Sequence, residues 1–229
     1  MEWFNIREFG ACGNANCDDS TAIRLALAKC AEHGRGTLLC PPGRYLTGKL
    51  DLPDNTCLHI DAGATLVSTL KRIPERGREG YTNRDNYLVG AVDRNNVSVS
   101  GAGRIEGSGP GHWNREVLLG WRYEVPHYEP LPDRPKSLVH FRRCRQVKIT
   151  DVSVHDSPTY GFWLVGCQNV TMRRVTVDND LLGPNSDAID IDCCRNVLIT
   201  GCRTISGDDG IAIKSGTDFL GEDTPCEDV

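Results

Sequence analysis

The run Cys144-Arg145-Gln146-Val147-Lys148-Ile149 recurs as Cys167-Gln168-Asn169-Val170-Thr171-Met172 and again as Cys194-Arg195-Asn196-Val197-Leu198-Ile199, with starts 23 and 27 residues apart. A second short alternating run follows each copy: Val152-Ser153-Val154, Val175-Thr176-Val177 and Cys202-Arg203-Thr204-Ile205. An earlier relative, Asn96-Val97-Ser98-Val99-Ser100-Gly101, lacks the cysteine. A unit this short cannot bury its own apolar face, so it must stack on its neighbours. Apolar residues fall at every second position and are broken by Gly, Asn and Asp, which is the pattern of strands. No stretch here has the 3.6-residue period that helical repeats of similar length need, and the Leu-rich consensus of leucine-rich repeats is absent. The expected fold is all-β: a right-handed parallel β-helix with Val, Ile and Cys stacked inside and Asn laddered at the turns.

The whole chain, 1–229, is expected to form one such domain, and 229 residues at 39% hydrophobic supply a continuous core. Residues 1–66 read as an N-terminal cap with the first coils, and 67–229 as further coils. Asp19 and Ser20 can N-cap a helix through Thr21 to Glu32, with Ile23, Leu27 and Cys30 on one face and Gly34 as its stop. Strand-like runs follow at 37–40, 45–46, 56–60 and 65–67. Residues 107–137, rich in Gly, Pro and aromatics, read as a long loop walling a cleft. Its Trp113, Trp121, Tyr123 and Tyr128 either stack on sugar rings or pin the loop to the body. Cys226-Glu227-Asp228-Val229 repeats the opening of the unit 32 residues after Cys194, so the chain is expected to be the N-terminal part of a longer solenoid.

Charge excludes some partners. The formal net charge is −5 with Lys and Arg scattered, which disfavours nucleic acid as a partner. No run approaches the roughly 18 apolar residues of a membrane span. No leader is visible, so the expected location is cytoplasmic, or secreted with the leader missing from the record. The eleven cysteines have neither CxxC nor zinc-type spacing and are expected to be mostly reduced, buried small hydrophobes.

The densest acidic cluster runs through Asn185-Ser186-Asp187-Ala188-Ile189-Asp190-Ile191-Asp192 and then Gly207-Asp208-Asp209-Gly210. Asp187 and Asp208 are 21 residues apart, about one coil, so they can occupy adjacent rungs roughly 4.8 Å apart. Carboxyls so close cannot all ionise easily, and at least one is expected to hold a proton near neutrality. Glycoside hydrolysis needs that division between acid and base. Asp190 and Asp192, alternating with Ile189 and Ile191, read as turn formers. Calcium binding is an alternative use of clustered carboxylate oxygens.

Pro184-Asn185-Ser186-Asp187, Gly207-Asp208-Asp209 and Ile211-Ala212-Ile213-Lys214-Ser215-Gly216 resemble polygalacturonases, the pectin-hydrolysing glycoside hydrolases of family 28. The resemblance extends to the N-terminal module through Phe9-Gly10-Ala11, Pro41-Pro42-Gly43-Arg44-Tyr45 and Asp61-Ala62-Gly63-Ala64-Thr65-Leu66. It implies that Asp208 is the general acid and that Asp187 and Asp209 activate water, with inversion at the anomeric carbon. It further implies that Lys214 binds a substrate carboxylate and that Asn185 positions the acidic turn at the substrate site. The implied substrate is pectin or its oligogalacturonides, with no cofactor and no metal. Ser186 stands where the family usually has Thr, and the family more often carries Trp at the Tyr160 position and His near Trp163. Those two changes leave a rhamnogalacturonan or modified galacturonan open as substrate. The family's Gly-His-Gly turn and Arg-x-Lys carboxylate clamp do not follow Gly216, and His140 and His155 are poor substitutes. This chain by itself is therefore expected to be weakly active or inactive. A carbohydrate-binding remnant and a calcium-dependent lyase are the rival readings.

Overall fold

The computed structural model describes residues 2–74, 83–120, 126–215, 220 and 224–229. Three parallel sheets run the length of a right-handed β-helix. The first contains Trp3–Asn5, Gly36–Cys40, Thr56–Ile60, Asn95–Ser100, Arg145–Thr150, Gln168–Arg173 and Arg195–Thr200. The second runs from Asn14–Asp18 to Arg203–Ile205, and the third stacks Leu50–Asp51, Val89–Val92, Ser137–Arg142, Tyr160–Val165, Ile189–Asp192 and Ile211–Lys214.

The repeated motif is the first-sheet strand, and its register explains its composition. Val147 lies on Val170 and Val170 on Val197, while Ile149 lies on Met172 and Met172 on Ile199. These columns face the core, where each fully buried side chain contributes about 1.5–3 kcal/mol. The cysteine of the motif occupies the corner just before that strand. Cys144, Cys167 and Cys194 are fully buried, and their thiols donate to the carbonyls of Ala91, Phe141 and Leu164. A small apolar residue with a weak donor fits a corner where the preceding sheet leaves carbonyls to satisfy. None of the eleven cysteines is in a disulfide; six are buried and Cys12 is exposed.

The Asn positions form the expected ladder. Asn55, Asn96, Gln146, Asn169 and Asn196 all have φ between +55° and +58°, a left-handed conformation that Asn tolerates better than most residues. Side-chain amides link neighbouring rungs, Asn96 to Asn55 at 3.0 Å and Asn196 to Asn169 at 2.7 Å. Asp228 continues the column at φ +53°, and Glu227 bridges to Arg195 in parallel.

The helix spans Ser20–Glu32 and covers the first coil with Ile23, Leu27 and Cys30. Its start differs from expectation. Asp19 occupies the N-cap position, but its carboxylate instead accepts from the backbone of Cys12 at 2.6 Å and Gly13 at 3.3 Å. Asp18 accepts from the Ser20 amide and hydroxyl. Residues 107–137 are also corrected: they hold a short 3-10 turn and an antiparallel hairpin of Trp113–Gly120 with Pro126–Pro130, rather than an irregular loop. Trp113 is buried, donates from its indole to the Pro158 carbonyl at 3.0 Å and stacks on Tyr128, so it pins the hairpin to the body. Trp121 and Tyr123 lie outside the described residues. Among the described residues, no helix is long and apolar enough to cross a membrane.

Candidate active site

The outer face of the third sheet carries the acidic cluster. Trp163, Asp190 and Ala212 lie on successive rungs, as do Val165, Asp192 and Lys214. Just ahead of these strands, Gly161 donates to the Asp187 carbonyl and Ala188 to the Asp209 carbonyl, both at 2.8 Å. The ladder therefore sets Asp209 level with Asp187, and Asp208 one residue before it. Sequence spacing alone had paired Asp187 with Asp208. All three converge nonetheless: one carboxylate oxygen from each of Asp187, Asp208 and Asp209 lies within 4.8 Å of the others. Asp187 is buried, and Asp208 and Asp209 are exposed.

Two interlocking turns hold the trio. The Ser186 hydroxyl accepts from the Gly207 amide at 2.9 Å and donates to the Asp180 carbonyl at 3.2 Å, tying the two acidic turns together. Asn179 donates to the Ser186 carbonyl at 3.1 Å and accepts from the Ser157 amide at 3.0 Å. The Ser206 hydroxyl donates to the Asp208 and Asp209 carbonyls at 3.0 and 3.2 Å. A Cβ at position 207 would lie 2.6 Å from the Leu181 carbonyl oxygen and 2.8 Å from the Ser186 hydroxyl, so the turns close only around glycine. Gly207→Ala is expected to lower unfolding stability by about 1–3 kcal/mol through this overpacking, as read by urea denaturation. An unchanged midpoint would show that the turns part freely.

Asn185 is a turn residue at φ +53°, with its side-chain oxygen 3.5 Å from Arg134. Buried Arg134 also donates to the carbonyls of Pro158 and Pro184. Asn185 therefore sits in the scaffold that orients the acidic turn.

Asp190 corrects the turn-former reading. It lies inside Ile189–Asp192, is fully buried, and forms a close ion pair with Lys214. Asp192 is likewise a buried strand residue. The Lys214 ammonium is also 3.5 Å from Asp187 and 3.5 Å from the Tyr160 hydroxyl. Lys214 thus spends its charge inside the protein, contrary to its expected availability for a substrate carboxylate.

Burial raises Asp190 to about 7, reinforced by Asp187 and opposed by Lys214. Burial also raises Asp187 to about 6, with Lys214 pulling it down and Asp208 pushing it up. Burial works against the Lys214 ammonium, but Asp190, Tyr160 and Asp187 together outweigh it and raise its pKa. Two buried carboxyls beside one ammonium do not both ionise easily. The carboxyls raised in this way are Asp187, a member of the trio, and Asp190, which lies outside it.

One further residue, Lys136, escaped the sequence reading. Lys136, at the edge of the supposed loop, places its ammonium 3.9 Å from the Tyr160 ring centroid. His140 lies between Tyr87 and Trp163, with Nδ1 3.0 Å from the Trp163 carbonyl oxygen. Burial lowers its pKa to about 3, so His140 is neutral. His155 belongs to the second sheet and faces Asp178. Neither imidazole reaches the trio. A cavity of about 660 Å³ lined by Arg24, Lys49, Asp51, Tyr87, Arg94 and Arg142 lies toward the N-terminal coils, and none of the trio lines it. The clustered, perturbed carboxyls make the third-sheet face the better candidate.

The model of glycosyl hydrolases family 28 matches residues 30–227. The chain belongs to this family. A probable polygalacturonase of Vitis vinifera is 27% identical over 231 residues, covering 95% of this chain and 45% of that protein. An exopolygalacturonase of Zea mays is 26% identical, covering 93% and 49%. Among solved structures, the hyperthermoactive exopolygalacturonase of Thermotoga maritima is 29% identical, with a TM-score of 0.77 over 94% of this chain and 55% of that one. The family 28 exopolygalacturonase of Yersinia enterocolitica shares the fold at 20% identity and the same TM-score. The chain spans about half the length of the curated relatives it matches.

Proposed function

We propose that the chain supplies the acid–base centre of a hydrolase acting on α-1,4-galacturonosyl linkages of pectin or polygalacturonate. The observation that carries this reading is the convergence of Asp187, Asp208 and Asp209 within 4.8 Å in a family 28 chain. In this reading Asp208 protonates the glycosidic oxygen, while Asp187 and Asp209 orient and deprotonate the attacking water. A sugar seated over the trio displaces water, and desolvation beside neighbouring carboxylates favours holding a proton in the cluster. Lys214 keeps Asp187 and Asp190 in place. The Ser186–Gly207 contact sets the height of the two acidic turns.

Inversion is the expected stereochemistry, although the trio is tighter than the roughly 6.5–9.5 Å usual for an inverting pair. The test is to incubate the protein with polygalacturonate, quantify reducing ends, and identify the first-formed anomer by proton NMR. Reducing ends with a β-anomer support the proposal. A first-formed α-anomer would make one carboxylate a nucleophile. Unsaturated, ultraviolet-absorbing products would replace hydrolysis by elimination, and pectin binding without cleavage and indifferent to Asp208→Asn would make the chain a binding module.

A further inference from the structure

We infer that Lys136 receives the carboxylate of a sugar lying over Tyr160, on the N-terminal side of the acidic trio. For its substrate class this inference rests on the proposed function, which assigns no residue to that contact once Lys214 is engaged internally.

Position comes first. Tyr160 donates its amide to the Lys136 carbonyl at 3.2 Å, and the next residue, Gly161, donates to the Asp187 carbonyl at 2.8 Å. Lys136, Tyr160 and Asp187 therefore stand on successive rungs of one ladder, along the direction an extended polymer would follow. The Lys136 ammonium is 3.9 Å from the Tyr160 centroid and 5.7 Å from that of Trp163. Aromatic faces attract the charge but accept none of its three N–H groups in a full hydrogen bond. Among the described residues, no carboxylate comes within 4.0 Å of this ammonium. The contrast with Lys214 is direct, because that ammonium already meets Asp190, Asp187 and the Tyr160 hydroxyl.

Charge gives the second argument. A uronate entering beside three carboxyls is repelled unless a cation offsets them. Lys136 is a partly buried cation without a carboxylate partner, so an arriving carboxylate restores interactions that burial removed. Burial pushes its pKa down to about 8. The charged groups facing it are Asp190 and Asp187, which favour its charge, and Lys214 and Arg134, which oppose it.

The experiment is isothermal titration calorimetry at pH 6 with trigalacturonate and with its fully methyl-esterified, neutral counterpart. The unaltered protein is expected to prefer the acid. Lys136→Met keeps the aliphatic stem on Tyr160 and Trp163 and is expected to lose that preference by about tenfold or more, the usual scale of a charge-assisted hydrogen bond. Lys136→Arg keeps most of it, which separates a charge effect from a folding defect. Raising the pH through about 8 should erode the preference of the unaltered protein alone. If Lys136→Met still discriminates acid from ester as the unaltered protein does, the assignment of Lys136 is wrong while the hydrolase reading stands. Equal binding of acid and ester by the unaltered protein likewise overturns the assignment of Lys136, while the hydrolase reading, which rests on the trio, is decided by the reducing-end assay.

Discussion

Asp208→Asn is expected to slow the weak reducing-end release that this chain supports from polygalacturonate by about 10²–10⁴-fold, the range that a positioned general acid supplies. The substitution is nearly isosteric, and the Asn oxygen can still accept from the Asp209 amide, now 3.0 Å from Asp208 Oδ1. Asp208 is exposed, so thermal stability should stay within about 0.5 kcal/mol of the unaltered protein. That separation of effects is the point of the test. A fall in rate with an unmoved melting transition places Asp208 in the chemistry, whereas proportional losses of both would make it a structural turn residue. The pH profile adds a second check. Asp187 is poised at about 6 and must be ionised to draw a proton from water, so the rate should fall as pH drops through about 6. If the rate were flat from pH 7 to 5, another group would be the base.

Much of the scaffold for that chemistry was legible from the repeat. The Cys144, Cys167 and Cys194 column and the Asn ladder follow directly from the recurring unit, because stacking forces equivalent positions into one register. The strands expected at 37–40, 45–46, 56–60 and 65–67 lie within two residues of their observed bounds, whereas the short strand Leu50–Asp51 was not among them. The trio was readable because Asp187 and Asp208 lie about one coil of chain apart, although the ladder sets Asp209 rather than Asp208 level with Asp187. Asp190 was not: it read as a turn former, and the Ile-Asp-Ile-Asp alternation taken as a strand would still have given it a wet face. Its outer face is dry because Lys214, 24 residues on, folds back over it. Lys136 was hidden for the same reason: its neighbours Tyr160, Trp163 and Asp187 come from later coils. The hairpin at 113–130 depends on Trp113 reaching Pro158, a contact that no local pattern encodes. Asp19 stood at the helix start as composition suggests, but the Cys12 and Gly13 amides won its carboxylate.

Lys214→Met should show how strongly that hidden pairing is coupled to the fold. At pH 8 the variant is expected to lose about 2–4 kcal/mol of unfolding stability, somewhat below the full cost of breaking a buried pair because the lysine is partly exposed. Methionine replaces most of the stem volume, so the loss reports the charge left behind rather than a cavity. The pH dependence follows from the partners. Lys214 remains charged throughout this range, its pKa being raised by Asp190, Tyr160 and Asp187 against the effect of burial. Asp190 and Asp187 have folded pKa values of about 7 and about 6, above the ordinary 3.8. A carboxyl raised in this way makes the folded state bind more protons than the unfolded one, so its ionisation lowers stability as pH rises from about 4 through 7. Without Lys214 that penalty grows. Below about pH 5 both carboxyls are protonated, and the variant should approach the unaltered protein. Urea unfolding at pH 5 and pH 8 reads the difference, and an equal loss at the two values would show that methionine disturbs packing alone. Adding Asp190→Asn to Lys214→Met should recover much of the pH 8 loss, because the buried charge that needed the ammonium is gone.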